Sequence, residues 1–81
     1  MTIQVRLFAS LRDAAGLEEC RLELAPGARG LEAKATLVRQ HHQLTGLMES
    51  ARLAVNQEYQ PWEIPLHDGD QLSVIPPVSG G

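Results

Sequence analysis

Apolar residues recur at every second position in several short stretches of the chain. From Thr2 to Phe8, Ile3, Val5 and Leu7 share one face while Thr2, Gln4, Arg6 and Phe8 share the other. That period of two is the signature of a strand buried on one side. Glu19 to Leu24 repeats the pattern, with Cys20, Leu22 and Leu24 on the core side. Arg52 to Val55 gives a short strand with Leu53 and Val55 inward, and Gln71 to Ile75 a closing one with Leu72 and Val74 inward. Between the first two strands, Ser10 is placed to cap a short helix over residues 9–15, and Gly16 to end it in a left-handed conformation.

After the turn at Ala25-Pro26-Gly27 the period changes. Leu31, Ala35 and Val38 fall at i, i+4 and i+7 with Leu37 beside them, which predicts the main helix over about residues 31–42. A second, shorter helix is expected between Leu44 and Ala51, although Thr45-Gly46 interrupts it. Asn56-Gln57-Glu58-Tyr59 reads as a turn leading into an irregular stretch through Trp62, broken by Pro61 and Pro65. Asp68-Gly69-Asp70 reads as a tight turn in which Gly69 takes a positive φ. Two strands, a principal helix and then two or more strands predict an α+β fold, a mixed sheet packed on one main helix. A helix crossing the sheet after an antiparallel first pair is the β-grasp arrangement, with the closing strand parallel to the first in the sheet centre. In that arrangement Phe8 and Ile75 both point away from the core on neighbouring strands. Either they form an apolar docking patch, or Phe8 turns at the strand end and tucks under Leu11.

Length and composition narrow the function classes. The chain has 81 residues, 43% of them hydrophobic, which suits one small folded domain. The formal net charge is −3 and the seven Lys and Arg residues are scattered. With Phe8, Tyr59 and Trp62 as the sole aromatics, a nucleic-acid surface with stacking platforms is not indicated. Met1 leads straight into a strand-like run without a secretory signal pattern, and no apolar run approaches the ~20 residues of a membrane span. A cytoplasmic protein is expected.

Few residues offer chemistry of their own. His41 and His42 are adjacent, so on a helix they point about 100° apart and cannot chelate one ion together. Cys20 is the sole cysteine, excluding an internal disulfide, and its inward position suits a small buried hydrophobe better than a nucleophile. No serine lies in a motif that pairs it with a base. The glycines form no phosphate cradle. A metal site is not expected.

The closing stretch Pro76-Pro77-Val78-Ser79-Gly80-Gly81 is different. Its prolines lack the N–H a ladder needs and end the preceding strand. Beyond Val78 the residues have little to bury, so a domain over residues 1–78 and a flexible tail over 79–81 are expected. A slender tail ending in a free carboxylate can thread a narrow enzyme tunnel, where a Cβ would meet the walls. Gly-Gly alone is a weak signal: at average usage it arises by chance in roughly one chain end in two hundred.

Leu53-Ala54-Val55-Asn56-Gln57-Glu58-Tyr59, Pro65-Leu66-His67-Asp68-Gly69-Asp70 and the closing Pro76-Pro77-Val78-Ser79-Gly80-Gly81 together resemble the small subunit of molybdopterin synthase. Leu7-Phe8-Ala9, with Arg12 and Gly16 following, agrees. The main helix departs from that pattern: Arg29-Gly30-Leu31 stands where a Thr-Val pair is usual, and Lys34 where Leu is common. The resemblance implies a ubiquitin-like β-grasp sulfur carrier with no bound cofactor. It implies that an ATP-dependent adenylating enzyme activates Gly81, that a sulfurtransferase donor converts it to a thiocarboxylate, and that the carrier donates sulfur to cyclic pyranopterin monophosphate, forming the molybdopterin dithiolene. The active site then lies mainly on the large subunit, with Gly81 and Gly80 entering it. Phe8, Tyr59, Ile75, Pro76, Pro77, Val78 and Ser79 match partner-binding positions, and a heterotetramer is expected. The alternatives are a thiamine-thiazole sulfur carrier, a ubiquitin-like modifier whose Gly81 joins a lysine, and an interaction domain with an inert tail.

Overall fold

The computed structural model describes residues 1–77. The expectations for Val78, Ser79, Gly80 and Gly81, and the boundary between domain and tail, lie outside the described residues. Five strands form one mixed sheet: β1 (Thr2–Leu7), β2 (Glu19–Glu23), β3 (Arg52–Val55), β4 (Glu58–Gln60) and β5 (Gln71–Ile75). Their order is β2-β1-β5-β3-β4. β1 and β5 run parallel in the centre, and the other neighbours pair antiparallel. This is the β-grasp topology. Among the described residues, α1 (Ala9–Ala15), α2 (Gly30–Gln40), a 3₁₀ turn at His42–Leu44 and α3 (Thr45–Met48) complete the elements.

Strand alternation decides the core. Ile3, Val5, Leu7, Leu22, Leu53, Leu72 and Val74 are all at most 2% exposed, and they join Leu11, Leu37, Leu44 and Met48 in one cluster. Cys20 and Leu24 are only half-buried at its margin. Gly16 closes α1 at φ 76°, its N–H donating to the Arg12 carbonyl at 2.9 Å. Gly69 turns the chain into β5 at φ 87°. That turn is anchored by its two acids. Asp68 Oδ1 accepts from the Thr2 N–H at 2.7 Å, and Asp70 accepts from the His67 N–H at 2.8 Å and from Asn56 Nδ2 at 3.1 Å.

Four expectations are corrected. Ser10 does not cap α1: Phe8 occupies the N-cap, without a side-chain cap bond, and Ser10 lies inside the helix. The main helix ends at Gln40, and only part of the predicted stripe is buried: Leu37 is in the core and Val38 packs half-buried against it. Gly30, Ala33, Thr36 and Leu37 face the core, while Leu31 is 46% exposed and Ala35 is exposed. Close packing at Gly30 sets this register: a Cβ there would lie 2.6 Å from the Trp62 carbonyl oxygen and 2.9 Å from Leu53 Cδ2. The Leu44–Ala51 helix is shorter, a 3₁₀ turn followed by one α-helical turn. Finally, the expected turn is present but confined to Asn56-Gln57, a two-residue hairpin, and a strand rather than an irregular stretch follows it. Both residues have positive φ (49° and 73°), and Glu58–Gln60 pairs back on β3 as β4. Positive φ at both central residues is the type I′ requirement, which matches the sheet twist.

Candidate functional site

The sheet has one face on the helices and one face without them. Register fixes which side chains share the outer face. Arg6 pairs with Glu19 and with Ser73, Ser73 with Ala54, and Ala54 with Tyr59. That row crosses all five strands. One step on, Ile75 pairs with Arg52. Leu7 pairs with Val74, and the Phe8 N–H donates to the Val74 carbonyl at 3.3 Å. Phe8 keeps an extended backbone (φ −118°, ψ 150°), so the register continues and carries it alongside Ile75. It does not tuck under Leu11, which is fully buried; Phe8 is 37% exposed.

Phe8, Ile75 and Tyr59 thus lie on one face of the sheet, two of them at the end where β1 and β5 finish. Tyr59 is 61% exposed, and the Arg52 guanidinium lies 4.8 Å from its ring centroid. An aromatic face accepts a cation in this way while leaving its edge open. Ile75 and Pro76 are half-buried and Pro77 is exposed. Because β1 and β5 are parallel, the apolar patch stands at the root of the segment leading into Val78-Ser79-Gly80-Gly81. The patch therefore adjoins Pro76 and Pro77, the last described residues.

Farther along the same face the surface is polar. A hollow of about 430 Å³ is lined by Gln4, Arg6, Glu19, Gln57, Gln71 and Ser73, among others. Arg6 donates to Glu19 through Nε at 3.1 Å, and this hydrogen-bonded carboxylate raises the guanidinium pKa above its ordinary value. A second hollow, also about 430 Å³, lies at the β4 edge against Tyr59, Pro61 and Trp62. The half-burial of Cys20 raises its thiol pKa by desolvation, the opposite of what a nucleophile requires. Among the described residues no helix is long and apolar enough to cross a membrane.

Sequence reasoning from the residues alone found Phe8 and Ile75 but not Tyr59, because β4 went unread; the pairing of Tyr59 with Ala54 puts it on the same face. The profile of the ThiS family matches residues 5–81. The chain belongs to the ThiS family. It is 40% identical over 84 residues to the molybdopterin synthase sulfur carrier subunit of Chlamydomonas reinhardtii, covering 100% of both chains. Its fold is similar to that of small archaeal modifier protein 1 from Haloferax volcanii, with a TM-score of 0.90, 27% identity and 100% of both chains covered. It is also similar to a chain in the complex of subunits 1 and 2 of the molybdopterin-converting factor from Helicobacter pylori. There the TM-score is 0.70 and the identity 26%, again with 100% of both chains covered.

Proposed function

We propose that this ThiS-family chain is the sulfur carrier subunit of a molybdopterin synthase. The observation that carries the reading is the full-length 40% identity to a subunit of that name. The apolar patch at the root of the tail supports it. The proposed cycle begins when the Gly81 carboxylate attacks the α-phosphorus of ATP on an adenylating enzyme, releasing pyrophosphate. The acyl adenylate is a good electrophile, because AMP leaves far more readily than an oxide ion. A persulfide on the sulfurtransferase displaces AMP to give an acyl disulfide. A thiol then attacks the donor-side sulfur, a new disulfide forms as the S–S bond to the transferred sulfur breaks, and a thiocarboxylate is left on Gly81. Its sulfur is soft and ionised at neutral pH, and so is a ready nucleophile by the logic of a low-pKa thiolate. The carrier then docks through Phe8, Tyr59 and Ile75 on the large subunit. Pro76 and Pro77 direct Val78, Ser79 and Gly80 into that subunit's active site, where sulfur passes to cyclic pyranopterin monophosphate. Two deliveries complete the dithiolene.

Docking is tested by titrating the large subunit with the native chain and with Phe8→Asp. A loss of at least tenfold in affinity with an unchanged circular dichroism spectrum is expected. Equal affinity removes Phe8 from the interface.

One observation favours a second reading. The 0.90 TM-score is to a modifier protein, and an acyl adenylate at Gly81 can also be attacked by a lysine amine. Lysine-linked adducts of this chain in cell extract, dependent on Gly81, are the result that reading requires.

A further inference from the structure

Arginine supplies six of the seven basic side chains, and Lys34 is the single lysine. An activated carboxylate acylates amines and leaves guanidinium groups alone, so Lys34 is the one lysine at which copies of this carrier could consume each other. It stands on the helix that faces Trp62, half-buried, with Nζ 5.2 Å from the centroid of the indole ring. The ring is itself held in place: Trp62 Nε1 donates to the Ala51 carbonyl at 3.1 Å. The Trp62 backbone lies directly against Gly30, four residues before Lys34 on the same helix.

We infer that Trp62 is a shelf that keeps the chain's only lysine amine from acylation, protecting an activated Gly81 from self-conjugation. This rests on the reading of Gly81 as a carboxylate that becomes activated. In the reaction being suppressed, Nζ attacks the acyl carbon of another copy's adenylate. The ammonium first gives one proton to water, freeing the electron pair of Nζ. A C–N bond then forms, the C–O bond to AMP breaks, AMP departs with the electron pair and the nitrogen loses its second proton to water. The amine must leave the ring face before it can attack. A cation seated on an aromatic face at such a site is held strongly enough to cut the free population by about two- to fivefold. The indole makes the better shelf, because Trp binds cations more strongly than Tyr or Phe.

The decisive variant moves the amine and leaves the shelf intact. In Lys34→Arg/Ala35→Lys the guanidinium takes the place over Trp62. The lone lysine shifts about 100° round the helix to a position that is exposed in this structure. Both proteins are treated with N-hydroxysuccinimidyl acetate at neutral pH, and tandem mass spectrometry separates the lysine from the Met1 amine, which serves as an internal reference. The relocated lysine is expected to acylate about two to five times faster than Lys34. Equal or slower acylation overturns the inference. Incubation with ATP and an adenylating enzyme then reports the Gly81–lysine isopeptide, with pyrophosphate release measured alongside. More isopeptide from the double variant at equal pyrophosphate release is expected; equal isopeptide at equal release overturns the inference. Absence of pyrophosphate release counts against the carrier reading instead, and the acetylation comparison still decides whether Lys34 is shielded where it stands. Trp62→Leu in the native background, in which Lys34 is expected to acetylate about two to five times faster, assigns that shielding to the ring, and an unchanged rate overturns the inference.

Discussion

The substitution Gly30→Ala should destabilise this protein, although alanine is the better helix former. A Cβ at Gly30 would stand 2.6 Å from the Trp62 carbonyl oxygen, about 0.8 Å inside the nearest ordinary contact of 3.4 Å, and 2.9 Å from Leu53 Cδ2. Leu53 is 2% exposed and has little room to turn. The Trp62 segment cannot easily retreat either. The Gly30 N–H donates to the Ile64 carbonyl at 3.0 Å, the Leu66 N–H to the Ala28 carbonyl at 2.9 Å, and Arg29 bridges Pro65. Overpacking of this kind costs about 1–3 kcal/mol. The propensity gain of alanine over glycine offsets up to about 1 kcal/mol of that in a helix interior, and less in the first turn. A net loss of about 1–2 kcal/mol follows, a fall in Tm of roughly 5–15 °C for a domain of this size. Gly46→Ala is the control. It lies in the single turn of α3, where a Cβ would meet nothing within 4 Å, so the same change should stabilise by up to about 0.5 kcal/mol. Urea and thermal unfolding followed by circular dichroism read both. If Gly30→Ala is neutral, or stabilises as Gly46→Ala does, close packing is not what sets the register of α2.

Other outcomes follow from the same contacts. Gln57→Gly should raise stability by about 0.5–1 kcal/mol in urea unfolding, because Gln57 sits at φ 73° where an L side chain is strained; a loss would mean its side chain contributes more than the strain costs. Asp70→Ala should cost about 1–3 kcal/mol by leaving the His67 N–H and Asn56 Nδ2 without their acceptor, and a change under about 0.5 kcal/mol would show that water replaces the carboxylate. Alkylation of Cys20 by iodoacetamide should begin at higher pH than that of the same cysteine in the unfolded chain, since desolvation raises its pKa. The sign for stability follows: below the unfolded thiol's pKa its contribution is whole, and it is lost as pH rises from there through the higher folded value. Stability that holds flat across that alkaline window would contradict the shift.

Alternation made β1, β2, β3 and β5 legible, because each sets large apolar side chains on one face only. The turns at Gly16 and Gly69 were legible too, since few other residues accept their φ. The stripe of α2 was not, and the reason is physical. Its buried face is built from Gly30, Ala33, Thr36 and Leu37, mostly small residues admitted by close approach, whereas Leu31 points outward. Hydropathy weighs size, so it finds Leu37 and Val38 but draws in Leu31 and passes over Gly30, Ala33 and Thr36. β4 was missed because Gln57 occupies a type I′ position that glycine normally announces, and because three residues give too short a run for a period to register. Two of the three patch residues could be found from strand faces. Phe8 and Ile75 were evident from alternation, while Tyr59 needed the hairpin, or the family resemblance, to join them. The slender tail suggests a carboxylate that can thread a tunnel, but the sulfur chemistry proposed for Gly81 comes from resemblance, since two glycines have no side-chain pattern to read.

The central claim, that Gly81 carries the sulfur, is tested most directly by tandem mass spectrometry of the C-terminal peptide. The chain is incubated with ATP, an adenylating enzyme shown to be active on another carrier, and a sulfur donor. Fragmentation must place the change, because oxidation of Met48 or Cys20 adds nearly the same mass as exchanging oxygen for sulfur. The account predicts sulfur on the Gly81 carboxylate, and none when ATP is withheld. An unmodified Gly81 under conditions that convert the control carrier would contradict it.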